Sequence, residues 1–188
     1  MYKRQALGCI ALVHYDNVSL GILTGERSQH IPPLRGKNEL GRFLHLLETL
    51  QPQGSIDLAA AVQSYCGAPR RGVGVLISDL LTPTGTAEAI GYLRRAGLAP
   101  VVLHLLAREE QTPTLEGPFD LVDCETGAVL STAINGEALR AYGERFTAWT
   151  NEVEAHCEAQ RATYVRLTSD QPMEEMIFAS LRTRAVLR

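Results

Sequence analysis

Two continuous apolar runs constrain this chain more than any other feature. Val73-Gly-Val-Leu-Ile-Ser78 and Val101-Val-Leu-His-Leu-Leu106 show no alternation of apolar and polar residues, which is how strands covered on both faces read, as in a parallel sheet. Between them a threonine-rich start and Glu88 lead a helix from about Thr84 to Ala96, with Gly97 at its C′ position. Strand, helix and strand follow one another within about 30 residues, and the fold class is α/β.

The flanking segments fit around that unit. An opening helix from about Lys3 to His14 places Ala6, Ile10 and Val13 on one face, and Asp16-Asn17 then turns the chain. Val18–Thr24 and Ser28–Ile31 predict a hairpin that stops at Pro32-Pro33, with Pro33 confining the second piece to an edge. Gly36 opens a helix to about Leu50, with Leu40, Phe43, Leu44, Leu47 and Leu50 on one stripe. Ser55 is the expected N-cap of a helix over about Ile56 to Tyr65, with Asp57 in its first turn near the positive helix end. Phe119–Asp123 and Ala128–Ser131 predict a second hairpin turning at Gly127. Asn135 caps a long helix carrying Leu139, Tyr142, Phe146, Trp149, Val153 and His156 on one stripe. Thr163–Leu167 is a strand, and Pro172 starts a final helix.

The length, 188 residues, matches a single domain. With 45% hydrophobic and 21% charged residues, the composition excludes disorder, collagen and a coiled-coil rod. The net charge of -3 lacks the basic excess of a duplex-binding protein, so no nucleic acid partner is expected. No window reaches the about 18 apolar residues of a transmembrane segment. The apolar stretch Ala6–Val13 is followed by His14-Tyr15-Asp16-Asn17 instead of a cleavage site, and the expected location is cytoplasmic. Cys9, Cys66, Cys124 and Cys157 are widely spaced, form no C-x-x-C pair and are expected to be reduced.

The most suggestive polar group is Ser78-Asp79, because a carboxylate just past a buried parallel strand lies where open α/β sheets bind ligands. Ser55 and Asp57, at another helix start, can converge on it. One carboxylate with one or two hydroxyls and waters is a partial shell for Mg²⁺; the plainer alternative is that Ser55 only caps and Asp79 only satisfies loop N–H groups. His104, inside an apolar strand with no second ligand at metal spacing, is expected to be a hydrogen-bonded core histidine. His156 and Cys157 are adjacent on a helix and cannot share a face as nucleophile and base. No G-x-S-x-G elbow, dinucleotide fingerprint or P-loop occurs. Glu109, Glu110, Glu116, Asp120 and Asp123 read as a solvated acidic stretch.

Five segments together carry a resemblance: Pro32-Pro-Leu-Arg-Gly36, Gly54-Ser-Ile-Asp-Leu58, Leu76-Ile-Ser-Asp-Leu-Leu81, Val122-Asp-Cys-Glu-Thr-Gly127, and the long helix with Trp149 before Tyr164-Val-Arg-Leu167. In their order and spacing the chain resembles the C-terminal, von Willebrand factor A-like part of the prokaryotic family called domain of unknown function 58. The resemblance implies a Rossmann-like, mostly parallel sheet with helices on both faces and a metal-ion-dependent adhesion site at its top edge. There Asp79 matches the aspartate after the central strand, and Ser55 stands where many such domains carry threonine. The family's first central strand and its Asp-x-Ser-x-Ser loop are missing from the sequence, so Ser55, Asp57, Ser78 and Asp79 are expected to form a degenerate site. No cofactor is expected as the chain stands, and Mg²⁺ on Ser55 and Asp79 only in a longer form that supplies the loop.

These expectations lead to a non-enzymatic protein-interaction domain. The resemblance implies a MoxR-type AAA+ ATPase as its partner in chaperone-like complex assembly, and a sheet lacking its central strand favours a homodimer. The alternatives are a metal-assisted hydrolase using Asp79 and Asp57, and a structural remnant without a ligand.

Overall fold

The two apolar runs lie side by side as parallel strands, with Val75 paired to Val101 and Ile77 to Leu103. The computed structural model describes residues 2–23, 29–50, 56–82, 85–123, 127–172 and 175. In chain order the elements are α1 (Tyr2–Val13), β1 (Asn17–Ile22), β2 (Gln29–Arg35), a 3-10 turn (Lys37–Glu39), α2 (Leu40–Glu48), α3 (Leu58–Tyr65), β3 (Gly72–Ser78), α4 (Thr86–Arg95), β4 (Leu98–Leu106), the short α5 (Arg108–Gln111), β5 (Gly117–Val122), β6 (Val129–Ile134), α6 (Gly136–Ala159) and β7 (Thr163–Thr168). The sheet has the order β3-β4-β7 and is parallel throughout, while β1-β2 and β5-β6 are antiparallel hairpins.

Helices cover both faces of the sheet at β4, but along β3 one face stays open, with Val73 56% and Val75 41% exposed, so the double cover expected of Val73–Ser78 holds only for the second run. On one face Leu76, Val102 and Tyr164 pack with Leu58 and Val62 of α3, Ala89, Ile90 and Leu93 of α4, and Val153 and Cys157 of α6. On the other, Val101, Leu103, Val165 and Leu167 meet Ala6 and Leu7 of α1. Burying an aliphatic side chain of this size contributes about 1.5–3 kcal/mol, so these two layers supply most of the drive to fold. A third cluster of Leu12, Leu34, Phe43 and Leu47 fastens α1, β2 and α2 to one another. This is the Rossmann-like, von Willebrand factor A-like α/β architecture. Both β1 and β3 are bonded to a neighbour on one side only, and among the described residues no ladder joins them.

Several boundaries differ from the sequence expectations. β2 runs to Arg35, past Pro32 and Pro33, which fall where the ladder to β1 shifts register between the Val18–Leu34 and Leu20–Ile31 pairs, and bulges and edges are where strands admit proline. The helix expected from Gly36 begins as a 3-10 turn and becomes α-helical only at Leu40. β4 starts at Leu98, immediately after Gly97 and three residues before the apolar run. Along α6 only Thr150, Val153 and Cys157 are buried, so the expected stripe holds in the second half and Tyr142 is exposed. The final helix expected from Pro172 lies almost wholly outside the described residues.

Gly97 occupies a confined turn. The Arg70 N–H donates to the Ala96 carbonyl at 2.7 Å, and a Cβ on Gly97, whose φ is +91°, would stand 2.5 Å from the Arg70 carbonyl oxygen. Gly97→Ala is expected to lose about 2 kcal/mol of unfolding free energy. Gly143→Ala, inside α6 with open space around it, is expected to gain about 0.5–1 kcal/mol. Urea titration measures both, and a stable Gly97→Ala chain would show that this turn is not confined.

Candidate functional site

The loop leaving β3 is built by its own short side chains. The Ser78 hydroxyl accepts from the Leu80 N–H at 3.0 Å, and Asp79 Oδ1 accepts from the Leu81 N–H at 3.1 Å. Leu80 takes a φ of 57°, a left-handed conformation that leucine seldom adopts. It is held there by complete burial (0% exposed), whereas its neighbour Leu81 is 59% exposed. The turn therefore drives one leucine into the core and presents Asp79 and Leu81 at the surface.

His104 supports that loop from inside the sheet. It pairs in register with Ser78 and is fully buried. Nε2 lies 2.8 Å from the Asp79 carbonyl oxygen, and Nδ1 lies 2.8 Å from the Tyr164 hydroxyl. A carbonyl can only accept, so Nε2 carries the proton and Nδ1 accepts from the tyrosine. The Trp149 ring meets the imidazole edge-on at 5.0 Å. Burial lowers the pKa of His104 below its ordinary value of 6.5, outweighing the opposite effect of the bond to the Asp79 backbone; Arg166 lowers it further. His104 is the expected core histidine, and its role is to anchor the backbone at Asp79.

Asp57 performs the capping expected of Ser55. Its backbone is extended, and its Oδ1 accepts from the Ala60 N–H at 3.0 Å, so the helix begins at Leu58 and Asp57 lies one residue before it. Ser55 lies outside the described residues. The start of α3 meets the segment that follows β3: Gly85, at a φ of +96°, sits so close that a Cβ there would be 3.0 Å from the Ala59 Cβ. Leu58 and Leu80, each directly after one of the two aspartates, belong to the same buried cluster. The segments carrying Asp57 and Asp79 thus approach each other through Leu58, Leu80, Ala59 and Gly85.

Asp57, Ser78 and Asp79 offer at most part of a Mg²⁺ shell. The ion takes about six oxygen ligands in near-octahedral geometry, and here each of the three side chains already has an oxygen engaged with a backbone N–H of its own loop or helix. Among the described residues no three His, Cys, Asp or Glu side chains come together as metal ligands. Elsewhere, burial pushes the Cys157 thiol up to about 12, with Glu154 adding to the effect, which leaves it inert. In the acidic stretch, the Glu110 carboxylate accepts from the Ala107 N–H at 2.6 Å and Asp120 from the Ser131 hydroxyl at 2.5 Å. The exposed Leu81 and the hold of His104 on the Asp79 carbonyl escaped the sequence reading; only register brings position 104 beside position 78.

Comparison with known proteins agrees with this architecture. The family model described as "Protein of unknown function DUF58" matches residues 5–171. Two crystal structures share the fold at 15% identity, each aligned over 99% of this chain and 87% of its own. One is the conserved hypothetical protein BatB from Bacteroides thetaiotaomicron, with a TM-score of 0.52. The other is an aerotolerance-related membrane protein from Bacteroides fragilis NCTC 9343 carrying multiple mutations to serine, with a TM-score of 0.55. No curated protein sequence matches the chain significantly.

Replacing His104 strips the Asp79 carbonyl and the Tyr164 hydroxyl of the same partner, so His104→Leu is expected to lose about 2–5 kcal/mol. The pH dependence has a defined sign. The folded-state pKa lies below the unfolded value near 6.5, so the unfolded chain takes up the proton first. The His104 contribution is complete above that value and is lost as pH falls below it. Urea midpoints followed downward from neutral pH should fall more gently for His104→Leu than for the parent chain, and parallel profiles would remove His104 as the titrating group.

Proposed function

Because this chain belongs to the protein family of unknown function DUF58, its activity has to be read from the site itself, and we propose that it is a non-enzymatic protein-interaction domain of the cytoplasm that meets its partner at the carboxyl edge of the parallel sheet. The observation that carries this reading is the loop at Ser78–Leu81. Two side-chain hydrogen bonds, a buried leucine and the His104 anchor fix its backbone, while a carboxylate and an exposed leucine stand at the surface. A fixed apolar group beside a fixed charge is what a protein interface uses for affinity and orientation. Catalysis by Asp79 and Asp57 has less support, since both carboxylates are already engaged with backbone N–H groups.

The partner class put forward is a MoxR-type AAA+ ATPase acting in complex assembly. The Bacteroides fragilis protein that shares the fold is an aerotolerance-related membrane protein, which suits partners that work beside a membrane. In this chain no helix among the described residues is long and apolar enough to cross one.

Biolayer interferometry against such an ATPase, without nucleotide and in EDTA as well as in Mg²⁺, tests the reading. Binding is expected in both buffers, and Leu81→Ala and Asp79→Ala should each weaken it about tenfold, the size of a modest hot spot of about 1–2 kcal/mol. Absence of binding in every nucleotide state would count against it. So would phosphoester hydrolysis that disappears in Asp79→Ala while the fold is retained.

A further inference from the structure

We propose that the amino edge of the parallel sheet is a second docking surface, built by Arg70, Arg71, Arg94, Arg95 and Arg161 and recognising an acidic segment of a partner protein. These arginines are far apart in sequence and meet because parallel strands all begin at one edge. Arg70 and Arg71 precede β3, Arg94 and Arg95 end α4 just before β4, and Arg161 precedes β7. Hydrogen bonds to backbone carbonyls tie the three segments together: the Arg70 N–H donates to the Ala96 carbonyl at 2.7 Å, and the Arg94 side chain donates through Nη1 to the Gln160 carbonyl at 2.6 Å.

The cluster is electrostatically unbalanced. Among the described residues, none of the five arginines forms an ion pair with a carboxylate. Across residues 66–75, 91–100 and 157–165, Glu158 is the only acidic side chain. The chain as a whole carries a charge of -3, and acidic groups gather at the opposite edge. There Asp79 follows β3, Glu109 and Glu110 follow β4, and Asp170 follows β7, where it is paired with Arg108.

The way these side chains are held suits the carboxylates of a peptide segment. The Arg70 guanidinium lies 4.3 Å over the Tyr65 ring and donates Nη2 to the Tyr65 carbonyl at 3.2 Å; Arg95 lies 4.4 Å over the Tyr92 ring. Guanidinium groups fixed by stacking and backbone bonds lose little further freedom on binding, and the planar fork matches a carboxylate held in place on a folded or extended peptide. Val73, 56% exposed two residues after Arg71, adds an apolar contact of the same kind.

Fluorescence anisotropy with the full chain and a labelled oligoglutamate peptide tests the proposal. Saturable, salt-sensitive binding is expected, weakened about tenfold or more when Arg71→Glu and Arg161→Glu are combined. Among the described residues neither of those side chains has a hydrogen bond or ion pair of its own, so the fold should survive, as circular dichroism verifies. If the reversal unfolds the chain, Arg71→Gln combined with Arg161→Gln makes the same comparison. Arg140→Glu, exposed on α6, should bind as the parent does. Lack of saturable binding, or binding untouched by the paired substitutions, overturns the proposal. It is equally overturned if phosphatidylglycerol vesicles or single-stranded DNA bind more tightly than oligoglutamate and lose that binding in the same variant, because the edge would then serve a lipid or a nucleic acid.

Discussion

An imidazole with no access to water must find a partner for each of its two nitrogens, and at His104 that requirement organises the middle of this protein. The ring draws one partner from the backbone at the end of β3 and the other from Tyr164 on β7, while Trp149 of α6 closes its side. Three parts of the chain, at residues 79, 149 and 164, are therefore positioned by a residue on a fourth. Buried polar groups of this sort tolerate little displacement, since a lost hydrogen bond in the interior carries the full desolvation penalty. The apolar layers above and below give the sheet its stability, but aliphatic contacts alone would let the loop after β3 settle in several ways. The imidazole selects one of them.

Parallel strands impose a further order, because every strand starts at one edge of the sheet and finishes at the other. Residues that precede strands and residues that follow them are sorted to opposite ends whatever their distance in sequence. In this chain arginines gather before the strands, whereas the edge after them mixes carboxylates with Arg108, which is ion-paired to Asp170. The two edges therefore differ in chemistry, and an uneven field of this kind can orient a molecule before contact.

The frame of the fold was legible in the sequence, and the residues explain why. Val73–Ser78 and Val101–Leu106 form neighbouring parallel strands as their apolar runs suggest, although β3 leaves Val73 and Val75 exposed on one face, and Asn135 caps α6, its side chain accepting from the Ala138 N–H at 2.8 Å. Asp57 was harder to place, since Ser55 and Asp57 are equally good capping types and only backbone conformation decides between them. The buried stripe on α6 is shorter than its periodicity suggests, because periodicity shows which face is apolar but not how far the neighbouring sheet extends beneath it. Ser78 and Asp79 were recognised from their place after a strand. Their attachment to His104 is a matter of register across parallel strands, and the arginine edge a matter of topology; a single sequence displays neither.

Trp149 is the only tryptophan in the chain, and its ring edge rests against the imidazole that holds Asp79. Indole emission is sensitive to the charge and distance of a neighbouring imidazole. The protein thus carries an optical reporter behind the loop after β3, one that needs no label and leaves the exposed face untouched. A change at the surface that loosened the Asp79 backbone would be seen as a change of colour or brightness from the interior.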